Sequence, residues 1–209
     1  MSAKIIRADH PAALGDALDV LRRGGLVAFP TDTVYGVGAM AFDAAAVERV
    51  YVAKGRDTAK AVPILLADQA GLTDIAEEFG EEARRLVEAF WPGSLTIVVR
   101  KRDAVPQAIS QRGTIGVRVP AHPVALELLR AAGPLATTSA NRSGAPDPMA
   151  AEDVAAGLDD RIDLILDGGR APGGRPSTVV DCTVSPPALV REGPISMSQI
   201  LAVLGRPGR

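Results

Sequence analysis

The chain has 209 residues, 47% of them hydrophobic, enough for one sizeable core, so a single domain over 1–209 is expected, with its core from about residue 10 to 205. No apolar run reaches the ~20 residues that cross a bilayer, and the start MSAKIIRADHP lacks a charged region followed by an apolar stretch, so no membrane span and no signal peptide are predicted and the cytoplasm is the expected compartment. A single cysteine, Cys182, excludes an internal disulfide and, with two histidines, a soft-ligand zinc cluster, while a formal charge of −2 argues against a dedicated nucleic-acid binder.

In chain order, Asp9 is a predicted cap and Pro11 a first-turn residue for a helix whose apolar face is Leu14, Leu18 and Leu21, ended by Gly24 and Gly25. A buried strand over 26–29 is closed by Pro30, and Asp43 caps a second helix through about Lys54. A strand over 62–67 precedes a helix over 81–90 stopped by Trp91-Pro92-Gly93, and strands over 95–99 and 114–119 follow. The pattern then predicts a helix over 122–132, a strand over 135–138, a helix over 149–158, strands over 162–166, 178–182 and 188–191, and a last helix over 198–204. Strands interleaved with helices imply an α/β sheet, mixed in direction because several connections are too short for crossovers.

Two glycine patterns imitate nucleotide fingerprints. Gly36-Val37-Gly38-Ala39-Met40-Ala41 fits a relaxed GxGxxA, but the region roughly 20 positions on, where a dinucleotide site needs an acid, holds Lys54 and Arg56. Gly169 and Gly174 have Walker spacing, yet Arg175-Pro176 replaces the phosphate-reaching lysine, so the pattern loses its mechanism and reads as a loop. No GxSxG nucleophile turn is present, and His10 and His122, each beside a proline, read as capping or surface residues.

Four polar stretches each follow an apolar strand, where open α/β sheets place their ligands. The first is Pro30-Thr31-Asp32-Thr33-Val34-Tyr35-Gly36; the second is Lys54-Gly55-Arg56 with Lys60. Cations at a helix end are explained by the dipole alone, but three of them across a glycine also suit a polyphosphate. The third, 137–144, offers hydroxyl, amide and backbone N–H groups to anionic oxygens or a purine edge, and the fourth joins 177–181 to Arg191-Glu192-Gly193. Arg118, between Val117 and Val119, is a buried-looking cation that requires a partner, for which a substrate carboxylate would serve as well as a protein acid.

Taken together, PTDTVYG, KGR with its following lysine, WPGSLT, GVRVPAHP, TSANRSG, STVVD and REG resemble the YrdC-like family of threonylcarbamoyl-AMP synthases, in family order from about residue 20 to 195. The resemblance implies a YrdC-like domain of the short form, without an extra C-terminal domain. Its α/β fold would be a twisted, mixed to antiparallel sheet flanked by helices around an open concave pocket. It also implies the reaction: L-threonine and bicarbonate form a carbamate, which attacks the α-phosphate of ATP and expels pyrophosphate, for threonylcarbamoyladenosine modification of tRNA beside the anticodon.

By motif position, Arg56, Lys60, Thr114, Asn141 and Arg191 would contact ATP, with Lys54 and Arg56 supplying charge at the phosphates and no general base assigned. Thr33, Tyr35, Arg118, Ser139 and Ser177 would hold threonine, Arg118 through its carboxylate. Mg²⁺ would arrive with ATP without a protein metal cage and without an organic cofactor. Downstream tRNA-modification proteins are the expected partners, with weak RNA binding possible. Leu65 stands where some relatives place a histidine, and Met149 where a hydroxyl residue is common. The alternatives are a paralogue of the same fold with another adenylate-directed activity, and a structured-RNA-binding module in which Arg118 and Ser139 would have no purpose.

Overall fold

The computed structural model describes residues 2–205. In chain order the elements are β1 Lys4–Arg7, α1 Ala13–Arg22, β2 Val27–Phe29, β3 Gly36–Met40, α2 Ala44–Lys54, β4 Ile64–Leu65, α3 Leu72–Ile75, α4 Glu81–Phe90 and β5 Leu95–Arg100. They continue with β6 Thr114–Arg118, α5 Pro123–Ala132, β7 Leu135–Ser139, α6 Ala151–Leu158, β8 Leu164–Asp167, β9 Thr178–Asp181, β10 Ala188–Arg191 and α7 Met197–Val203.

Local chemistry accounts for most of these boundaries. Asp43 caps α2 by accepting from Ala46 N at 3.0 Å, and Gly55 ends it in the left-handed region at φ 58. Pro123 occupies the first turn of α5 behind His122, where its missing N–H costs nothing. The cap expected at Asp9 does not form: its carboxylate accepts from Arg7, and α1 begins later, behind Ala12. The buried face of α1 is therefore Ala13, Ala17, Val20 and Leu21, while Leu14 and Leu18 lie at its margin. The strand expected over 62–67 contracts to Ile64–Leu65 because Pro63 has no N–H to give the ladder.

Three elements were absent from the sequence expectation: β1, β3 and the short α3. β1 is an outer strand with only Ile6 buried, so it carries no alternation to read. β3 contains two glycines, which weaken strand propensity, but the close approach of β7 requires them. A Cβ on Gly36 would lie 2.8 Å from Thr137 Cγ2, and one on Gly38 would lie 2.8 Å from Thr137 Oγ1.

The strands form one 10-stranded sheet in the order β1-β8-β2-β3-β7-β4-β6-β5-β9-β10. Pairing is parallel for β1–β8, β2–β8, β4–β6 and β5–β9, and antiparallel for the rest, a mixed sheet as expected. Alternation then assigns the two faces. On one face Leu95, Ile97, Val99, Ile115 and Val117 join Leu86 and Val87 of α4 and Ile200 of α7, while Val37 and Ala39 join Val50 of α2 and Val154 of α6. On the other face Val27, Phe29, Leu135 and Leu164 pack against α1 and α5 through Leu21, Leu128 and Leu129. Each such large aliphatic or aromatic burial contributes on the order of 1.5–3 kcal/mol. Beyond β7 this second face changes character to Thr96, Val98, Thr114, Gly116 and Arg118, and there it opens into a cavity.

Candidate active site

The cavity has a volume of about 680 Å³. Its floor is the uncovered face of β7, β4, β6, β5 and β9, represented by Thr137, Ser139, Leu65, Gly116, Arg118, Thr96, Val98 and Val179. Thr31, Thr33, Arg56, Asp147, Ser177 and Arg191 stand around it on loops and strand ends. Gly116 keeps the floor low, since a Cβ there would sit 3.1 Å from Thr96 Cγ2.

At one end lies Arg118, 5% exposed. Its Nε donates to Gly93 O at 2.8 Å, Nη1 to Thr33 Oγ1 at 3.0 Å and Nη2 to Asp32 Oδ1 at 2.5 Å. The buried cation thus has a protein acid for a partner, and Asp32 is held in turn by Ala121 N at 2.9 Å. Burial pushes the Arg118 pKa down and Asp32 opposes it; a guanidinium stays charged under either influence. Three of its five N–H donors are used, which leaves one hydrogen on each Nη for a ligand. Thr31 Oγ1 steadies this wall, lying 2.9 Å from Thr33 Oγ1 and donating to Val34 O at 2.6 Å.

Two further cations, Arg56 and Arg191, line the cavity. Arg56 donates to Lys60 O and Ala61 O at 3.2 and 3.0 Å. Arg191 donates to Ser177 O at 3.1 and 2.8 Å and to Ser177 Oγ at 3.3 Å, and that hydroxyl lies 2.8 Å from Thr96 Oγ1. Among the described residues neither Arg56 nor Arg191 has a carboxylate in an ion pair. Burial lowers the Arg191 pKa, Asp147 opposes the shift and Arg56 adds to it.

Lys54, 2% exposed, lies behind the cavity wall formed by Ser139. Its Nζ donates to Ser139 O, to Asn141 O and to Asn141 Oδ1, which consumes all three ammonium hydrogens. Burial first, then Arg56, pushes its pKa down to about 8, against a rise from Asp147. Asn141 is equally engaged, accepting from Ser139 Oγ at 2.7 Å and donating to Ala145 O at 2.6 Å. Lys54 therefore ties the end of α2 to the segment after β7 and sets the position of Ser139.

The residues singled out from the sequence fall into four groups. Thr33, Arg56, Arg118, Ser139, Ser177 and Arg191 all line the cavity. Lys54 and Asn141 lie behind its wall, and Lys60 and Thr114 line an adjoining recess of about 260 Å³ with Ser110 and Arg112, sharing Ala61, Val98 and Gly116 with the main cavity. Tyr35 does not line the pocket. It is 0% exposed among Leu26, Val37 and Ala151, with its hydroxyl donating to Gly169 O at 2.6 Å and accepting from Gly168 N at 3.3 Å. Its neighbours Val34 and Gly36 both line the cavity, so the ring between them turns the other way, into the core, and burial pushes the phenol up to about 12.

Three participants escaped the sequence reading of the site. Thr96 was hidden inside an apolar strand, and Asp32 was one carboxylate in a polar run with no indication that it meets Arg118. Asp147 sits between Pro146 and Pro148, just past the hydroxyl-rich segment, and that fixed position was the available signal. Among the described residues no three His, Cys, Asp or Glu side chains are grouped to hold a metal, and no helix is long and apolar enough to cross a membrane.

The chain has known relatives. The sequence profile of the Sua5/YciO/YrdC family, whose description reads Telomere recombination, matches residues 19–193. The threonylcarbamoyl-AMP synthase of Pyrococcus abyssi is 44% identical over 191 residues, covering 90% of this chain and 56% of that protein. A protein of Mycobacterium tuberculosis described as a putative threonylcarbamoyl-AMP synthase is 41% identical over 190 residues, covering 90% of this chain and 88% of the other. The crystal structure of P. abyssi Sua5 complexed with L-threonine superposes with a TM-score of 0.93 at 41% identity, covering 99% of this chain and 62% of that one. The chain spans about half the length of the first of these relatives. With the profile matched over most of its residues, the chain belongs to the Sua5/YciO/YrdC family, that of the threonylcarbamoyl-AMP synthases.

Proposed function

We propose that the cavity binds ATP and L-threonine together and forms threonylcarbamoyl-AMP. The observation that carries this reading is the charge arrangement of one cavity. Arg118, with a hydrogen left on each Nη, lines it together with Arg56 and Arg191, which have no carboxylate partner among the described residues. An amino-acid carboxylate suits the first and nucleotide phosphates suit the second pair. The kinship with threonylcarbamoyl-AMP synthases, and with a relative crystallised with L-threonine, supports the choice of substrates.

In this mechanism Arg118 takes the threonine carboxylate, with Thr33, Ser139 and Ser177 as the neighbouring hydroxyls. The ammonium group combines with bicarbonate, releasing water and a proton, to give a carbamate. A carbamate oxygen then attacks the α-phosphorus, the bond from that phosphorus to the bridging oxygen breaks, and pyrophosphate leaves. The carbamate is already anionic, so alignment and charge neutralisation by Arg56 and Arg191 carry the step without a general base. Lys60 and Thr114 would meet whatever part of the nucleotide extends into the adjoining recess. Mg²⁺ would enter on the phosphates and neutralise part of their charge, and the cavity's own carboxylate, Asp147, fits such an ion. Use of the adenylate to modify tRNA, through partner proteins, belongs to the same proposal.

The test is pyrophosphate release by purified protein in ATP, Mg²⁺ and bicarbonate. Release should require L-threonine; threonine-independent release would point to a paralogue with another adenylate-directed activity, and no release would remove the proposal.

A further inference from the structure

Among the described residues Asp147 is the one acidic side chain lining the main cavity, which Arg56 and Arg191 also line. It forms no ion pair and no side-chain hydrogen bond among the described residues. Its electrostatic neighbours are Lys54 and Arg191. Ser143 N donates to Lys54 O at 2.9 Å, Lys54 Nζ to Asn141 Oδ1 at 3.0 Å and Asn141 Nδ2 to Ala145 O at 2.6 Å, which ties the segment leading to Asp147 to the Lys54–Arg56 side of the cavity. Pro146 and Pro148 flank Asp147, and Pro148 O accepts from Tyr35 N at 2.9 Å, which anchors the loop to the core. With φ preset on both sides, the carboxylate is held in the cavity wall.

A carboxylate in a polyphosphate clamp is a contradiction unless a cation lies between. It repels the phosphates that Arg56 and Arg191 attract, at an energy that is large wherever water is partly excluded. Mg²⁺ resolves it, because this ion is ordinarily held by one or two carboxylates together with substrate phosphates and waters.

Building on the ATP reading above, we propose that Asp147 is the protein's contact to the Mg²⁺ carried on the nucleotide phosphates, and that it makes nucleotide binding depend on the metal. The test is calorimetric titration of the whole chain with α,β-methylene-ATP in Mg²⁺ and in EDTA, for the wild type and Asp147→Asn. The wild type should bind more tightly with Mg²⁺. Asp147→Asn should tighten binding in EDTA and reduce the Mg²⁺ advantage by roughly tenfold or more. An Asp147→Asn protein with an unchanged Mg²⁺ advantage, or one weakened equally in both buffers, would overturn the inference and leave the ATP reading intact. So would a wild type that binds equally in both. A wild type that binds the analogue in neither buffer would overturn both.

Discussion

Replacing Lys54 by methionine should change how stability depends on pH, by an amount the structure allows to be worked out. The ammonium is buried, and its pKa falls from 10.5 to about 8. Below pH 8 it is charged in both folded and unfolded chains, and the cost of burying that charge is carried in full. Between pH 8 and 10.5 the folded chain has released the proton while the unfolded chain still holds it, so the wild type gains stability as pH rises. Each pKa unit corresponds to about 1.4 kcal/mol, so the whole interval is worth about 3 kcal/mol.

The assay is urea unfolding of the wild type and Lys54→Met at pH 7 and near pH 10. Taking the difference between the two proteins at each pH cancels the other titrating groups. The wild type should improve relative to the variant by about 3 kcal/mol across the interval. A difference that is flat with pH, or that moves the other way, would refute the description of Lys54 as a buried charge held by Ser139 and Asn141.

Further predictions concern the cavity walls. Arg118→Lys keeps the charge paired with Asp32 but loses the fork, and should raise the KM for threonine at least about tenfold more than that for ATP; Arg56→Ala should do the reverse, both read from steady-state kinetics. Gly193→Ala would bring a Cβ within 2.4 Å of Thr178 N and 2.5 Å of Pro176 O, so it should cost about 2 kcal/mol or more in denaturant unfolding and displace Ser177. Gly157→Ala in α6, where nothing lies within 4 Å, should instead stabilise by about 0.5–1 kcal/mol. Burial and neighbouring carboxylates push the Cys182 thiol up to about 12, so a disulfide reagent at pH 8 should react with it slowly in the native protein and fast in urea.

How much was legible depended on which interactions are local. The alternation in Leu95-Thr96-Ile97-Val98-Val99 and Thr114-Ile115-Gly116-Val117-Arg118 marks two strands, and the structure turns the polar half of each into the cavity floor. Asp43 and Pro123 act through their own turns and could be read directly. β3 could not, because its glycines answer to Thr137, a residue nearly a hundred positions away. Tyr35 belongs to the same motif as Thr33, but membership of a motif does not say which face of the chain a side chain takes. The partner of Arg118 depended on a contact between β6 and the loop after β2 that only the sheet order creates. Lys54 was read as one of three cations suited to a polyphosphate, whereas its three hydrogen bonds to Ser139 and Asn141 make it a tie between α2 and the segment after β7.

The most direct measurement of the central claim follows the carbon of bicarbonate. With labelled bicarbonate, L-threonine and MgATP, the account predicts a single nucleotide product that carries the label, the mass of threonine and AMP joined through a carbamoyl group, and one pyrophosphate released for each molecule formed. AMP or ADP without label, or a labelled product that forms equally without threonine, would contradict it.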